Sequence, residues 1–313
     1  MGRLPKDKVL QEIKVSSPAV LLDFLIDKQV RKSRNAIKSL LSHKQIKVNG
    51  KLVTQFDQEL KPGDWVAVMK FDQTRKEKKL TGLKIIFEDD DLIVIDKEVG
   101  FLSVSTDKEK QRTVYGVLNE YVKRRNKNSR VFVLHRLDRE ISGLMIFAKS
   151  AELQEMFQKN WGLLVQKFIY TGVVEGKLRE NKGTVVSWLT ENKNFVMFAS
   201  STDNGGLEAI THYRAVKTIG RYTMVDFELE TRRKNQLRVQ MQSIGHPIVG
   251  DKKYGASNNP IKRIALHAKE IVLKHPTTGE ILEFKTTLPK MMQQLVTTPV
   301  VKNEETNKTI NNE

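Results

Sequence analysis

His135-Arg136-Leu137-Asp138-Arg139 sets one carboxylate between two guanidiniums, immediately before Glu140-Ile141-Ser142-Gly143-Leu144. Cations within a few ångströms favour the charged form of an aspartate and lower its pKa. Such a carboxylate carries protons poorly and is better suited to attacking carbon or steadying a developing cation. A salt-bridged turn would use the same side chains, so the cluster alone does not name a reaction. The neighbouring elements say where it must sit. Ser142-Gly143 permits a sharp turn, and Leu144-Met145-Ile146-Phe147-Ala148 has the continuous apolar character of a buried strand. Asp138 is therefore expected on a loop that leads into a strand.

The run from His135 to Leu144 resembles the active-site motif of RluA/RluD-type RNA pseudouridine synthases, with Ile141 where that motif usually has threonine. Four further stretches, in order, extend the resemblance over roughly residues 83 to 290. Asp91-Leu92-Ile93-Val94-Ile95-Asp96-Lys97 with Gly100 is similar to the family's first motif, with Glu98 at the usual proline. Tyr170-Thr171-Gly172-Val173-Val174 matches the strand of its active-site tyrosine. Leu229 to Val239 and Ile244 to Asp251 are similar to its third motif, with Arg232 at a usual glycine, Asn235 at a usual histidine, and a further departure at Gln240. Leu266-His267-Ala268 and His275-Pro276 through Glu280 complete the pattern. A chance match to several ordered motifs is far rarer than a match to one.

The resemblance implies an enzyme that isomerises uridine to pseudouridine in RNA, most naturally large-subunit ribosomal RNA. It implies an α+β pseudouridine synthase fold with a mixed, largely antiparallel central sheet. Asp138, Tyr170 and Arg238 take the catalytic positions. Asp138 has three routes open to it: attack on the ribose anomeric carbon, attack on the uracil ring, or removal of a ribose proton to give a glycal. Arg238 is expected to pair with Asp138, and Tyr170 to stack on uracil. Arg136 corresponds to the arginine that fills the space left by a flipped base, and Arg139 is placed on the RNA. No metal and no nucleotide or redox cofactor is expected. None is needed for the isomerisation, and the chain lacks Gly-x-x-x-x-Gly-Lys and Gly-x-Gly-x-x-Gly phosphate loops.

Charge agrees with an RNA partner. Among 313 residues, 54 Lys and Arg stand against 37 Asp and Glu, a formal net charge of +17. Residues 1–80 hold 18 of the basic and 9 of the acidic side chains, over half the excess in about a quarter of the chain. Within that segment two short amphipathic stretches, one with Leu21, Leu22, Phe24 and Leu25 and one with Ile37, Leu40 and Leu41 after Ser33, predict two helices. Residues 45–53 then alternate around Asn49-Gly50, a hairpin turn. The segment resembles the αL-motif RNA-binding domain of small-subunit ribosomal protein 4, which implies that Arg31, Lys32, Arg34, Lys38, Lys44 and Lys47 meet phosphate.

The organisation expected is an RNA-binding domain over 1–70, a charged linker over 71–82, a catalytic domain over 83–297 and a polar, disordered tail over 298–313. Strands are expected at 168–174, 184–189, 209–216, 222–229, 264–272 and 281–284, all rich in β-branched and aromatic residues. No apolar run reaches the ~18 residues of a membrane span, and there is no cysteine for a disulfide, thiolate nucleophile or thiolate metal site. A monomer in the cytoplasm, off the membrane, is the expectation. Two rival activities use the same residues: a catalytically inactive RNA-binding factor for ribosome assembly, and a hydrolase that cleaves a nucleoside. The second would normally need a pair of carboxylates, one as general acid.

Overall fold

The structure is a computed structural model that describes residues 9–31, 34–42, 44–69, 78–105, 113–124 and 126–297. Lys32, the Ser33 cap, residues 71–77 of the expected linker and the expected tail lie outside the described residues. Strands β1 (Val9–Lys14) and β2 (Ala19–Val20) lead to helices α1 (Leu21–Asp27) and α2 (Arg34–Ser42). After them come β3 (Ile46–Val48), β4 (Lys51–Val53), β5 (Glu59–Leu60) and β6 (Trp65–Met69). The main sheet here runs β1-β6-β3-β4. Leu21, Leu22, Phe24 and Leu25 share a core with Ile37, Leu40, Leu41, Ile46 and Val66, which is why both helices form despite their shortness. The β3–β4 turn is the expected hairpin: Asn49 and Gly50 both have positive φ, 50° and 80°, as a two-residue I′ turn requires.

Beyond this module, β7 (Lys78–Leu80), β8 (Leu83–Glu88), β9 (Leu92–Lys97), α3 (Val114–Lys123), β10 (Phe132–Val133), β11 (Ser142–Ala148) and α4 (Ala151–Leu164) precede the long strand β12 (Val165–Glu175). Within the segment expected as linker over 71–82, residues 78–80 form β7. Lys78–Leu80 pairs antiparallel with β8, and an edge strand needs backbone partners but no apolar alternation, so a lysine-rich stretch gives no pattern to read. Strands β13 (Lys182–Glu191), β14 (Met197–Ser200), β15 (Leu207–Ile219) and β16 (Tyr222–Leu229) follow, then α5 (Gln236–Ser243), β17 (Leu266–Lys274), β18 (Ile281–Lys285) and α6 (Lys290–Gln294).

Two compact units result. One holds the described residues up to Tyr170 with His267–Thr287; the other holds Thr171–Leu266 with the described residues from Leu288. The division falls between Tyr170 and Thr171, inside the segment expected as one catalytic domain. In the first unit β7-β8-β9-β11 is antiparallel, while β11 runs parallel to β17 at Ser142↔His267 and Gly143↔Ala268. In the second, β14-β13-β15-β16 is antiparallel throughout. The sheet is therefore mixed and largely antiparallel, in an α+β fold. All seven residues of β11 are buried, the continuous apolar run serving a strand covered on both faces. Gly143 permits the parallel pairing: its φ is 116°, and a Cβ there would lie 2.2 Å from the Ala268 carbonyl oxygen.

Candidate active site

Asp138 is half-buried on the loop between β10 and β11, and the chain on each side of it is tied to residues 97–103. Before it, Ser103 Oγ donates to the Leu137 carbonyl at 2.6 Å and accepts the Leu137 N–H at 3.1 Å. After it, the Arg139 carbonyl accepts from Gly100 N–H at 2.8 Å and from Lys97 Nζ at 3.4 Å. Ile141 N–H closes a turn on the Asp138 carbonyl at 3.1 Å. Lys97 is fully buried, its ammonium also donating to the carbonyls of Phe101 at 2.8 Å and Glu98 at 3.1 Å. A buried cation is tolerated when its donors are satisfied. Here the dipoles that satisfy it belong to the very segment that holds the loop.

The same loop is linked to Tyr170 through aromatic rings. His135 lies edge-on to Phe168, centroids 5.0 Å apart, and to Trp161 at 5.6 Å. Phe168 and Tyr170, two residues apart on one face of β12, stack at 4.8 Å with planes 27° apart. His135 Nε2 accepts the Ile146 N–H at 3.1 Å. That bond commits Nε2 as an acceptor and makes His135 a spacer between β11 and the Tyr170 face. The loop's exit is fixed as well: Ser142 Oγ hydrogen-bonds His267 Nδ1 at 2.8 Å, and His267 Nε2 meets Thr286 Oγ1 at 2.8 Å. Arg136 is exposed and Arg139 half-buried.

Arg238 belongs to the second unit, on α5, and is 7% exposed. Asp251 holds it in a two-point pair, Nε to Oδ2 at 2.6 Å and Nη2 to Oδ1 at 2.9 Å, the planar fork meeting a planar carboxylate. Its Nη1 donates to Asn235 Oδ1 at 3.2 Å and its guanidinium lies 5.0 Å from the Tyr254 ring centroid. Asn235, in left-handed backbone with φ 53°, donates in turn to Tyr254 Oη at 2.9 Å. The departure at Asn235 is thus part of the frame around Arg238. Gln240 is fully buried and satisfied, accepting from Thr211 Oγ1 at 2.6 Å and donating to Ser187 Oγ and the carbonyls of Val185 and Ala209. Arg232 is exposed, where a side chain needs no room in the core.

On the basic module, Arg34, Lys38 and Lys44 are exposed, and Lys38 Nζ lies 5.6 Å from the ring of exposed Phe56. Lys47 is half-buried, as is Arg31, whose Nη1 donates to the Val30 carbonyl at 2.9 Å. Among the described residues no group of three His, Cys, Asp or Glu side chains is placed to hold a metal. Sequence reasoning gave no role to Lys97, Ser103, Asp251 or Tyr254. Lys97 carried a signal, a lysine closing a strand that opens on four apolar residues, whereas Ser103 carried none.

The family pattern described as RNA pseudouridylate synthase matches residues 91–243, and that of the S4 domain matches residues 21–66. The uncharacterized RNA pseudouridine synthase YlyB of Bacillus subtilis is 31% identical over 277 residues, 84% of this chain and 88% of that protein. The ribosomal large subunit pseudouridine synthase D of Pasteurella multocida is 29% identical over 280 residues, 84% of this chain and 86% of its own. Human RNA pseudouridylate synthase domain containing 4 shares the fold, with a TM-score of 0.56 at 21% identity over 67% of this chain and 90% of that one.

Proposed function

The chain belongs to the RNA pseudouridine synthase family, with an N-terminal S4 domain, and on that premise we propose that it modifies a uridine of large-subunit ribosomal RNA by chemistry that depends on Asp138. The reaction breaks the bond between ribose carbon 1′ and uracil nitrogen 1, turns the base in place and joins carbon 1′ to ring carbon 5. The carbon-5 proton leaves and nitrogen 1 gains one, so substrate and product have the same atoms. A carboxylate held in one place suits each of the routes open to it, because a misplacement of about an ångström is costly to the chemical step.

The double tether of Asp138, by Ser103 on one side and by Lys97 and Gly100 on the other, is the observation that supports this most. Tyr170 stacks on uracil in this reading, its ring already held by Phe168. Arg238 is the charge partner of Asp138, kept ready by Asp251. Arg136 enters the space left when the uridine flips out of its stack, offsetting part of a cost of a few kcal/mol. The large-subunit substrate is favoured by the name of the Pasteurella multocida relative and by the basic S4 domain.

The test is a pseudouridine map of large-subunit ribosomal RNA from cells lacking the protein, and from the same cells supplied with wild type or Asp138→Asn. A site lost on deletion and restored only by wild type is the expected result. Survival of every such site in the deletion strain would overturn the ribosomal substrate, and restoration by Asp138→Asn would overturn the role of the carboxylate.

A further inference from the structure

Phe195 stands at the tip of the β13–β14 hairpin with 65% of its surface exposed. Its backbone is left-handed, φ 58°. The tip is tightly bonded: Phe195 N–H donates to the Asn192 carbonyl at 3.0 Å, Asn192 N–H to the Val196 carbonyl at 3.0 Å, and Asn192 Oδ1 accepts from the N–H groups of Asn194 at 2.9 Å and Val196 at 3.0 Å. A hairpin loop that ends in a left-handed residue favours glycine there, because a Cβ crowds the backbone. Phenylalanine at this position is unfavourable for the backbone and forgoes burial of its ring. Neither folding term accounts for it.

Its surroundings do. Lys234 Nζ lies 5.4 Å from the Phe195 ring centroid, Lys253 Nζ donates to the Phe195 carbonyl at 3.2 Å, and exposed Lys193 is two residues earlier. Glu191, which pairs with Lys234, offsets one of the three charges. An exposed aromatic face rimmed by net positive charge matches a nucleobase with its phosphate, the pairing of stacking surface and cations that single-stranded RNA sites use. The tip is also firmly seated. Two residues on, buried Met197 packs with Leu189, Ala209, Val239 and Tyr254, and its N–H donates to Tyr254 Oη at 3.3 Å. Tyr254 is the ring beneath Arg238.

We propose that Phe195 is a stacking platform for an unpaired base of the RNA substrate, with Lys193, Lys234 and Lys253 on the adjoining phosphates. The inference rests on the reading of RNA as substrate and adds to it a binding residue outside the family motifs. Stacking tolerates any base, so Phe195 contributes affinity and fixes the strand against the α5 corner, while base identity is left to other contacts.

The experiment compares full-length wild type, Phe195→Gly and Phe195→Trp on two probes, an unmodified large-subunit ribosomal RNA transcript and polyuridylate, by filter binding across a salt series and by thermal unfolding. Phe195→Gly is expected to bind both probes about ten-fold more weakly, with an unchanged log-log salt slope because no phosphate contact is lost, and to melt no lower than wild type. Phe195→Trp is expected to bind like wild type. Binding of Phe195→Gly within two-fold of wild type on polyuridylate would overturn the platform, as would equal weakening by both variants. If wild type distinguishes neither probe and isomerises no uridine in the transcript, the ribosomal substrate fails, and the polyuridylate comparison still decides Phe195.

Discussion

Ser103 clasps the Leu137 peptide from both ends, its hydroxyl donating to the carbonyl at 2.6 Å and accepting the N–H at 3.1 Å. One small side chain thereby fixes the residue before Asp138. Ser103→Ala leaves two buried backbone groups without that partner, a loss of roughly 1–3 kcal/mol of stability. It is expected to lower kcat by more than about ten-fold, since the carboxylate loses its register. Urea unfolding and single-turnover kinetics on the same protein measure the two effects, and Ser103→Thr should retain part of both.

Lys97 makes the matching tether on the far side. Lys97→Met keeps the apolar stem but removes the donor from the Phe101, Glu98 and Arg139 carbonyls. A stability loss of about 1–3 kcal/mol is expected, with turnover reduced more than RNA affinity. Denaturant titration beside filter binding separates them, and a protein equally impaired in both would show that Lys97 holds the fold without setting the site.

Arg238 and Asp251 are a buried ion pair. Removal of one partner of a buried pair is destabilising, so Asp251→Asn, which takes away the carboxylate that holds Nε and Nη2, is expected to cost up to ~3–5 kcal/mol. Replacing both, Arg238→Met with Asp251→Leu, should recover most of that stability without recovering activity. A double variant that is stable and active would remove Arg238 from the chemistry.

The fold was legible where burial is continuous. β11 lies within two residues of the apolar run that signals it, and β16 spans 222–229 as its β-branched and aromatic content indicates. β7 and β14 were not legible, being short strands defined by backbone pairing rather than by alternation. The site divides in the same way. Asp138, Tyr170 and Arg238 stood out because charged or aromatic residues occur in ordered motifs. Ser103 acts by reaching to Leu137 across 34 positions, and no local pattern reports such a partner; Asp251 stood inside the third motif without a sign that it holds Arg238. Asn235 illustrates the limit: as a departure from the family's wording it conveyed a difference, and only the bonds to Arg238 and Tyr254 give that difference a purpose.

The S4 domain should act through charge. Neutralising Arg34, Lys38 and Lys44 together, all exposed, removes up to three phosphate contacts. Each contact contributes about 0.7–0.9 to the log-log salt slope, so a decrease of roughly 2–3 is expected. An unchanged slope in filter binding would assign this face to something other than RNA.

The most direct measurement is tritium release from carbon 5 of uridine in unmodified ribosomal RNA, with free uracil followed in the same reaction, for wild type and for Asp138→Asn. Wild type is expected to release the label without freeing uracil. Asp138→Asn is expected to release none while binding RNA within a few-fold of wild type, because the substitution removes a charge from the chemical step and none from the phosphate contacts. Release by Asp138→Asn near the wild-type rate, or uracil set free by either protein, would contradict an isomerisation carried by this aspartate.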